Sequence, residues 1–361
     1  MMTETYGKPQ KIKLGYIPLL DCAPFLVAQE YGLFTKYGCS VSLTREVGWA
    51  TIRDKMIYGE LQGAHTVAPM PFAINFGMGC IPVACISPLV ITLNGNSITL
   101  SRRLYDAGVR DGESLKKEID RVRGKKTYVL GVVFQYSSHN FILKQWLATY
   151  GIHPERDVRI VVVPPQQLTG HLKSGNIDGF CVSEPWTSCA VKDEEGFCVA
   201  ISSELSPGHP DKVFSTTKQF ADEREEELLA LTAALIEAVK FCENRANLGA
   251  VAALLSRKEH LNVSQSVLMT ALEGPFIFSP SKAVNVPDFL IFSRDNSNEP
   301  CAQKAGWIMA QLLRTGSLRD PALLRTSSAQ AVFRSDLYHK ALKKTELENN
   351  QINHTNELVS S

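Results

Sequence analysis

Residues 13–34, KLGYIPLLDCAPFLVAQEYGLF, carry the reading on which the fold turns. KLGYI (13–17) is short and largely apolar, which predicts a strand. After a brief turn, residues 23–34 place Phe25, Leu26, Ala28 and Leu33 on one side of a helix. The alternation then repeats. Residues 39–43, 64–67 and 83–92 read as strands, with a helix over 49–58 and another starting at 71–76. This order predicts an α/β lobe with a mostly parallel sheet and right-handed crossovers.

The composition changes at residue 101. The stretch 101–126 is strongly charged, with eleven Lys, Arg, Asp or Glu residues in its last seventeen, and reads as a connector and a solvated helix. A second α/β series follows, with strands in YVLGVVF, VRIVVV, IDGFCV and FCVAIS and helices between them. Residues 204–210 form a loop, and 222–242 form an amphipathic helix with Leu228, Leu231, Leu235 and Val239 on one stripe. Two lobes are therefore expected: residues 10–100 plus 210–340 as a discontinuous lobe, and 104–205 as the other. Residues 344–361 hold few apolar groups and are expected to be a disordered tail.

The chain has 361 residues, 44% hydrophobic and 21% charged, with a net charge of +1. That composition is ordinary for a globular protein, and it offers no global field for nucleic acid or an anionic membrane. The longest nearly apolar run, residues 80–93, is 14 long and interrupted by prolines, too short to span a bilayer. The nine cysteines are odd in number and lack Cys-x-x-Cys spacing, so free reduced thiols are expected, with no metal site and no cofactor. Residues 1–13 are polar and show no secretory pattern. Together these features predict a cytoplasmic protein.

Ligands of open α/β sheets sit beyond the carboxyl ends of strands, where helix N-termini offer unpaired N–H groups. Three turns fit that description. TREVGWATIRDK starts a helix at Trp49, and FQYSSHNF places His139 just after a Ser137 or Ser138 cap. In GFCVSEPW, Ser183 is expected to cap a helix with Glu184 and Pro185 in its first positions. Helix ends alone hold a charge weakly, by about 0.3–1 kcal/mol each, so a full positive charge is required. Lys212, where the chain re-enters the first lobe, is the candidate, and Asn96 at the opposite crossing offers amide hydrogen bonds. Enzyme readings lack support. The chain has no G-x-S-x-G, G-x-x-x-x-G-K-[ST] or H-E-x-x-H motif. Glu184 has no evident catalytic partner, and His65 and His209 lack a shared metal-ligand spacing.

GYIPLLDCAPFLVAQEYGLFTKYG, VGWATIRDKMIYGELQGAHTVAPMP, LNGNSITLS, GIHPERDVRIVVVPPQQL and IDGFCVSEPW resemble the nitrate and bicarbonate binding proteins of bacterial ABC transporters. The likeness runs over about residues 12–340. It implies a type II periplasmic-binding-protein fold with an anion between the lobes. It also implies that Trp49, Asn96, His139, Ser183 and Lys212 hold the anion, with Ser138 and Glu184 behind them. Asn96 replaces the glutamine, and Ser183 the glycine, usual at these positions. Bicarbonate-binding relatives place an acidic residue where Lys212 stands and recruit calcium. A pocket composed only of donors would favour nitrate or nitrite without a metal.

Two roles are compatible with such a pocket. One is the ligand-capturing part of a nitrate ABC transporter. The other resembles a NasS-type cytoplasmic nitrate/nitrite sensor, which holds an ANTAR-type RNA-binding antiterminator and releases it when the anion binds. The polar start and the cysteines point to the sensor. A third reading, an enzyme of thiamine-pyrimidine synthesis on the same fold, lacks the clustered cysteines it would need.

Overall fold

The computed structural model describes residues 11–318 and 330–359, with side chains to residue 347. The polar residues 1–10, on which the reading of an unsignalled start rested, lie outside the described residues, as does the end of the tail.

The described residues build two large sheets and one two-stranded hairpin. In the first, β1 (Ile12–Tyr16), β2 (Val41–Arg45) and β3 (Gly63–Val67) run parallel, with β1 in the middle. β4 (Cys85–Asn94) is buried at every residue, which explains its continuous apolar sequence. From β4 the chain crosses directly into β5 (Asn96–Ser101), a strand of the second sheet. That sheet also holds β6 (Tyr128–Val132), β7 (Val158–Val162), β8 (Gly179–Ser183) and β9 (Gly196–Ile201), in the order 7-6-8-5-9. β10 (Pro210–Thr217) returns the chain to the first sheet, between β3 and β4. A hairpin, β11 (Phe276–Ser279) with β12 (Lys282–Val284), and a short edge strand β13 (Leu290–Ile291) complete the set.

Both sheets are mixed, where mostly parallel sheets were expected. β6 pairs in parallel with β7 and β8, but β5 runs antiparallel to β8 and β9. Likewise β10 is antiparallel to β3 and β4, and β13 to β4. The cause is the path of the chain. A strand that enters a sheet straight from the neighbouring lobe arrives from the opposite end, whereas a helix-connected strand does not.

The crossing itself is tightly bound. Asn94 and Gly95 both take left-handed backbone, φ 61° and 87°, a conformation open to glycine and tolerated by asparagine. The Asn94 side chain accepts from Gly208 N at 2.9 Å and donates to Asp288 O at 2.9 Å. One residue thus bridges both strands that link the lobes.

Helices cover the sheets. The longest fully described, Glu225–Glu243, buries Leu228, Leu231, Leu235 and Val239 against the first sheet's core. The helix Ser335–Val359 runs through most of the segment read from composition as a disordered tail. It docks on Glu225–Glu243 through Leu337, Tyr338 and Ala341, with Lys340 bonded to Glu225 Oε1 at 2.6 Å. These docked residues all lie ahead of residue 344, where the segment read as a tail begins. Among the described residues, no helix is long and apolar enough to cross a membrane.

Candidate functional site

The five residues singled out in the sequence lie on five different elements and meet between the two sheets. Trp49 opens the helix Trp49–Ile57 behind Gly48. His139 is the second residue of the helix Ser138–Thr149, capped by Ser137, whose Oγ accepts from Asn140 N at 3.2 Å. Asn96 opens β5, Ser183 ends β8, and Lys212 lies within β10. All are buried, Ser183 the least at 2% exposed.

Lys212 Nζ donates to Ser183 Oγ at 2.8 Å and lies 3.3 Å from His139 Nε2. It sits 5.9 Å from the centre of a Trp49 ring, within cation–π range. Ser183 Oγ donates to Asn96 Oδ1 at 2.9 Å and lies 3.0 Å from His139 Nε2. Ser183 was expected to cap a helix. It is instead a strand residue whose hydroxyl faces the cluster, and the next helix begins at Trp186. Ser138 Oγ donates to Asp211 Oδ1. Glu184 turns away: its Oε2 accepts from Ser188 N at 3.2 Å. Burial pushes the Glu184 carboxyl up to about 7.

Two carboxylates were missed. Asp211 accepts from Lys212 Nζ and, at 2.9 Å, from Asn96 Nδ2. Asp21, in the turn after β1, places Oδ2 2.9 Å from Lys212 Nζ. His65 and His209 also join, His65 Nε2 lying 3.0 Å from Asp21 Oδ1 and His209 Nε2 3.3 Å from Asn96 Nδ2. The expected donor-only pocket is therefore wrong, because Lys212 is flanked by two buried acceptors. Adjacent strand residues normally face opposite ways. β10 has register irregularities on both sides of Lys212, and these let Asp211 and Lys212 turn to one site. The signal for Asp21 was present: it lies in a strand-to-helix turn of the kind already examined.

Burial works against the charge on Lys212, yet Asp21 and Asp211 outweigh it and hold the ammonium above its ordinary range. Burial likewise works against the Asp21 and Asp211 carboxylates, but Lys212 and the nearby histidines keep both below the usual range. His139 is lowered to about 3, by burial and then by Lys212. Burial also lowers His65 and His209. At neutral pH the cluster is thus an ion triad surrounded by neutral imidazoles. The lobes close over it: Leu20 N donates to Glu184 O at 2.8 Å, and Trp49, Leu19, Phe134, Val182 and Trp186 share one apolar cluster across the cleft. A surface cavity of about 470 Å³ beside Arg245 and Arg294 shares no residue with this site.

Residues 6–256 match the model of the NMT1-like family. The chain belongs to that family. It is 34% identical over 92% of its length to a nitrate import ATP-binding protein, NrtC, of Synechocystis, and 36% identical over 86% to a bicarbonate transport ATP-binding protein, CmpC, of Synechococcus elongatus. It spans about half the length of these relatives, 50% and 46% respectively. The crystal structure of the periplasmic nitrate-binding protein NrtA from Synechocystis superposes with a TM-score of 0.89 at 27% identity, covering 95% of this chain and 90% of that one. The fold is the two-lobed type II periplasmic-binding-protein fold.

These findings overturn the sensor reading. The similar proteins are components of nitrate and bicarbonate transport, and the superposing structure is periplasmic. The cytoplasmic location, the regulatory role and the antiterminator partner fall with it. The nine cysteines, none of them disulfide-bonded, are mostly buried in the cores. They report packing, because a buried free thiol behaves as a small hydrophobe in any compartment.

Proposed function

We propose that this chain captures a small planar oxyanion, nitrate, nitrite or bicarbonate, between its lobes for an ABC import system acting across the cytoplasmic membrane. Capture would take place on the outer side. The observation that carries this reading is Lys212, buried where both lobes meet and within reach of Ser183 and His139. Trp49 and Asn96 complete the proposed set. A charge-assisted hydrogen bond from Lys212 contributes roughly 1.5–3 kcal/mol, about twice a neutral one. Family likeness supports the anion class, and the two flanking carboxylates give a hydroxyl-bearing anion an acceptor as well.

Calorimetric titration with nitrate, nitrite and bicarbonate in turn tests the proposal. Saturable binding of at least one, lost on mixing with a large excess of the same anion, is the expected result. No binding of any of the three would refute the reading.

A further inference from the structure

The proposed site has a charge excess before any ligand arrives. Asp21, Asp211 and Lys212 are all buried, so two carboxylates face one ammonium. An anion closed into the same space would add a second uncompensated negative charge, and buried charge persists only where it is paired. Histidine is the nearby group that gains a positive charge when it takes a proton.

The three histidines are not equivalent. His209 is satisfied as a neutral ring: Nδ1 lies 2.8 Å from Ser206 O and Nε2 3.3 Å from Asn96 Nδ2. His65 approaches Asp21 but is packed between Trp49 and Phe25, with ring centroids 5.5 and 5.7 Å away. His139 Nε2 stands 3.3 Å from Lys212 Nζ and 3.7 Å from Asp211 Oδ1. Its Nδ1 has no partner among the described residues. Without ligand, Nε2 faces an ammonium and must accept, which keeps the ring neutral. Once Lys212 turns its protons to an anion, Nε2 loses that donor and is left facing Asp211.

We propose that the anion enters the cleft together with one proton, which the His139 imidazole takes up from solvent. The proposal rests on the anion-capture reading above. The groups that face His139 are Lys212 and Asp211 from β10, Asp21 from the turn after β1, Ser183 from the end of β8, and His209. Lys212 and His209 oppose its protonation, whereas Asp211, Asp21 and the bound anion favour it. Glu184, next to Ser183, is turned to Ser188 N instead.

Nitrate is the probe of choice, because it takes no proton near neutral pH. The full chain is titrated with sodium nitrate by calorimetry, in two buffers of different ionisation enthalpy and at pH 6, 7 and 8. The expected result is uptake of nearly one proton per nitrate, with Kd rising about tenfold per pH unit. His139→Gln should bind more weakly, with no proton uptake and a Kd independent of pH. Asp211→Asn, which removes the excess charge, should also bring uptake toward zero. A wild-type Kd equal at pH 6 and 8, with buffer-independent heat, would overturn the proton coupling and leave anion capture standing. Undiminished uptake in His139→Gln would overturn the assignment to His139. Absence of binding by all three anions in every buffer would remove both readings.

Discussion

The connector helix Gly112–Arg121 and the interlobe cluster are both rich in charge, and they use it in opposite ways. On the helix, Lys117 pairs with Glu113 and Lys116 with Asp120 one turn apart, largely in water. Such pairs are screened and contribute little. In the cleft, Lys212 pairs with Asp21 and Asp211 away from solvent. There a pair adds little or nothing over a well-packed apolar replacement, yet losing one member leaves a naked charge. Burial, not the number of charges, decides which region is sensitive.

The largest effect should come from Lys212→Met. Two facing carboxylates would lose their cation, so stability at pH 7 should fall by about 3–5 kcal/mol, together with loss of anion binding. Adding Asp21→Asn and Asp211→Asn should restore most of the stability. Urea denaturation measures both, and an unaltered midpoint in the single variant would erase the contrast between the two regions.

Glu184 sharpens the comparison, because it is buried without a cation and copes by holding a proton. Its carboxyl rises from an ordinary 4.5 to about 7 in the folded state. The folded protein therefore binds the extra proton between those values. The associated stability is full below about pH 4.5 and is lost as pH climbs through 7, on the order of 3 kcal/mol in all. Glu184→Gln should show a flatter stability profile and exceed the wild type at pH 8. Parallel profiles at pH 5.5 and 8 would contradict the burial argument. The smallest effect is expected from Lys117→Ala on the connector helix. Its melting temperature should match the wild type within error, and a clear drop would mean that surface pairs matter more here than solvent screening allows.

The same contrast explains what could be seen in the sequence. Helix-connected strands such as β1, β2 and β6 announce themselves, because hydrophobic spacing is local. Strand direction at the crossings does not, since it depends on which lobe the chain has just left. Trp49, His139 and Lys212 stand at turns or crossings that order alone suggests. Asp211 was hidden because an irregular β10 breaks the alternation that would have sent it away from its neighbour.

Asn94 has a mechanical consequence. Because its side chain ties the outgoing crossing to Gly208 on the returning one, and to Asp288 just ahead of β13, slippage between the two crossings has to break those bonds. The crossings bend as one leaf spring. A motion that keeps these bonds should open the mouth of the cleft along a single arc, widest at the lips and still at Asn94.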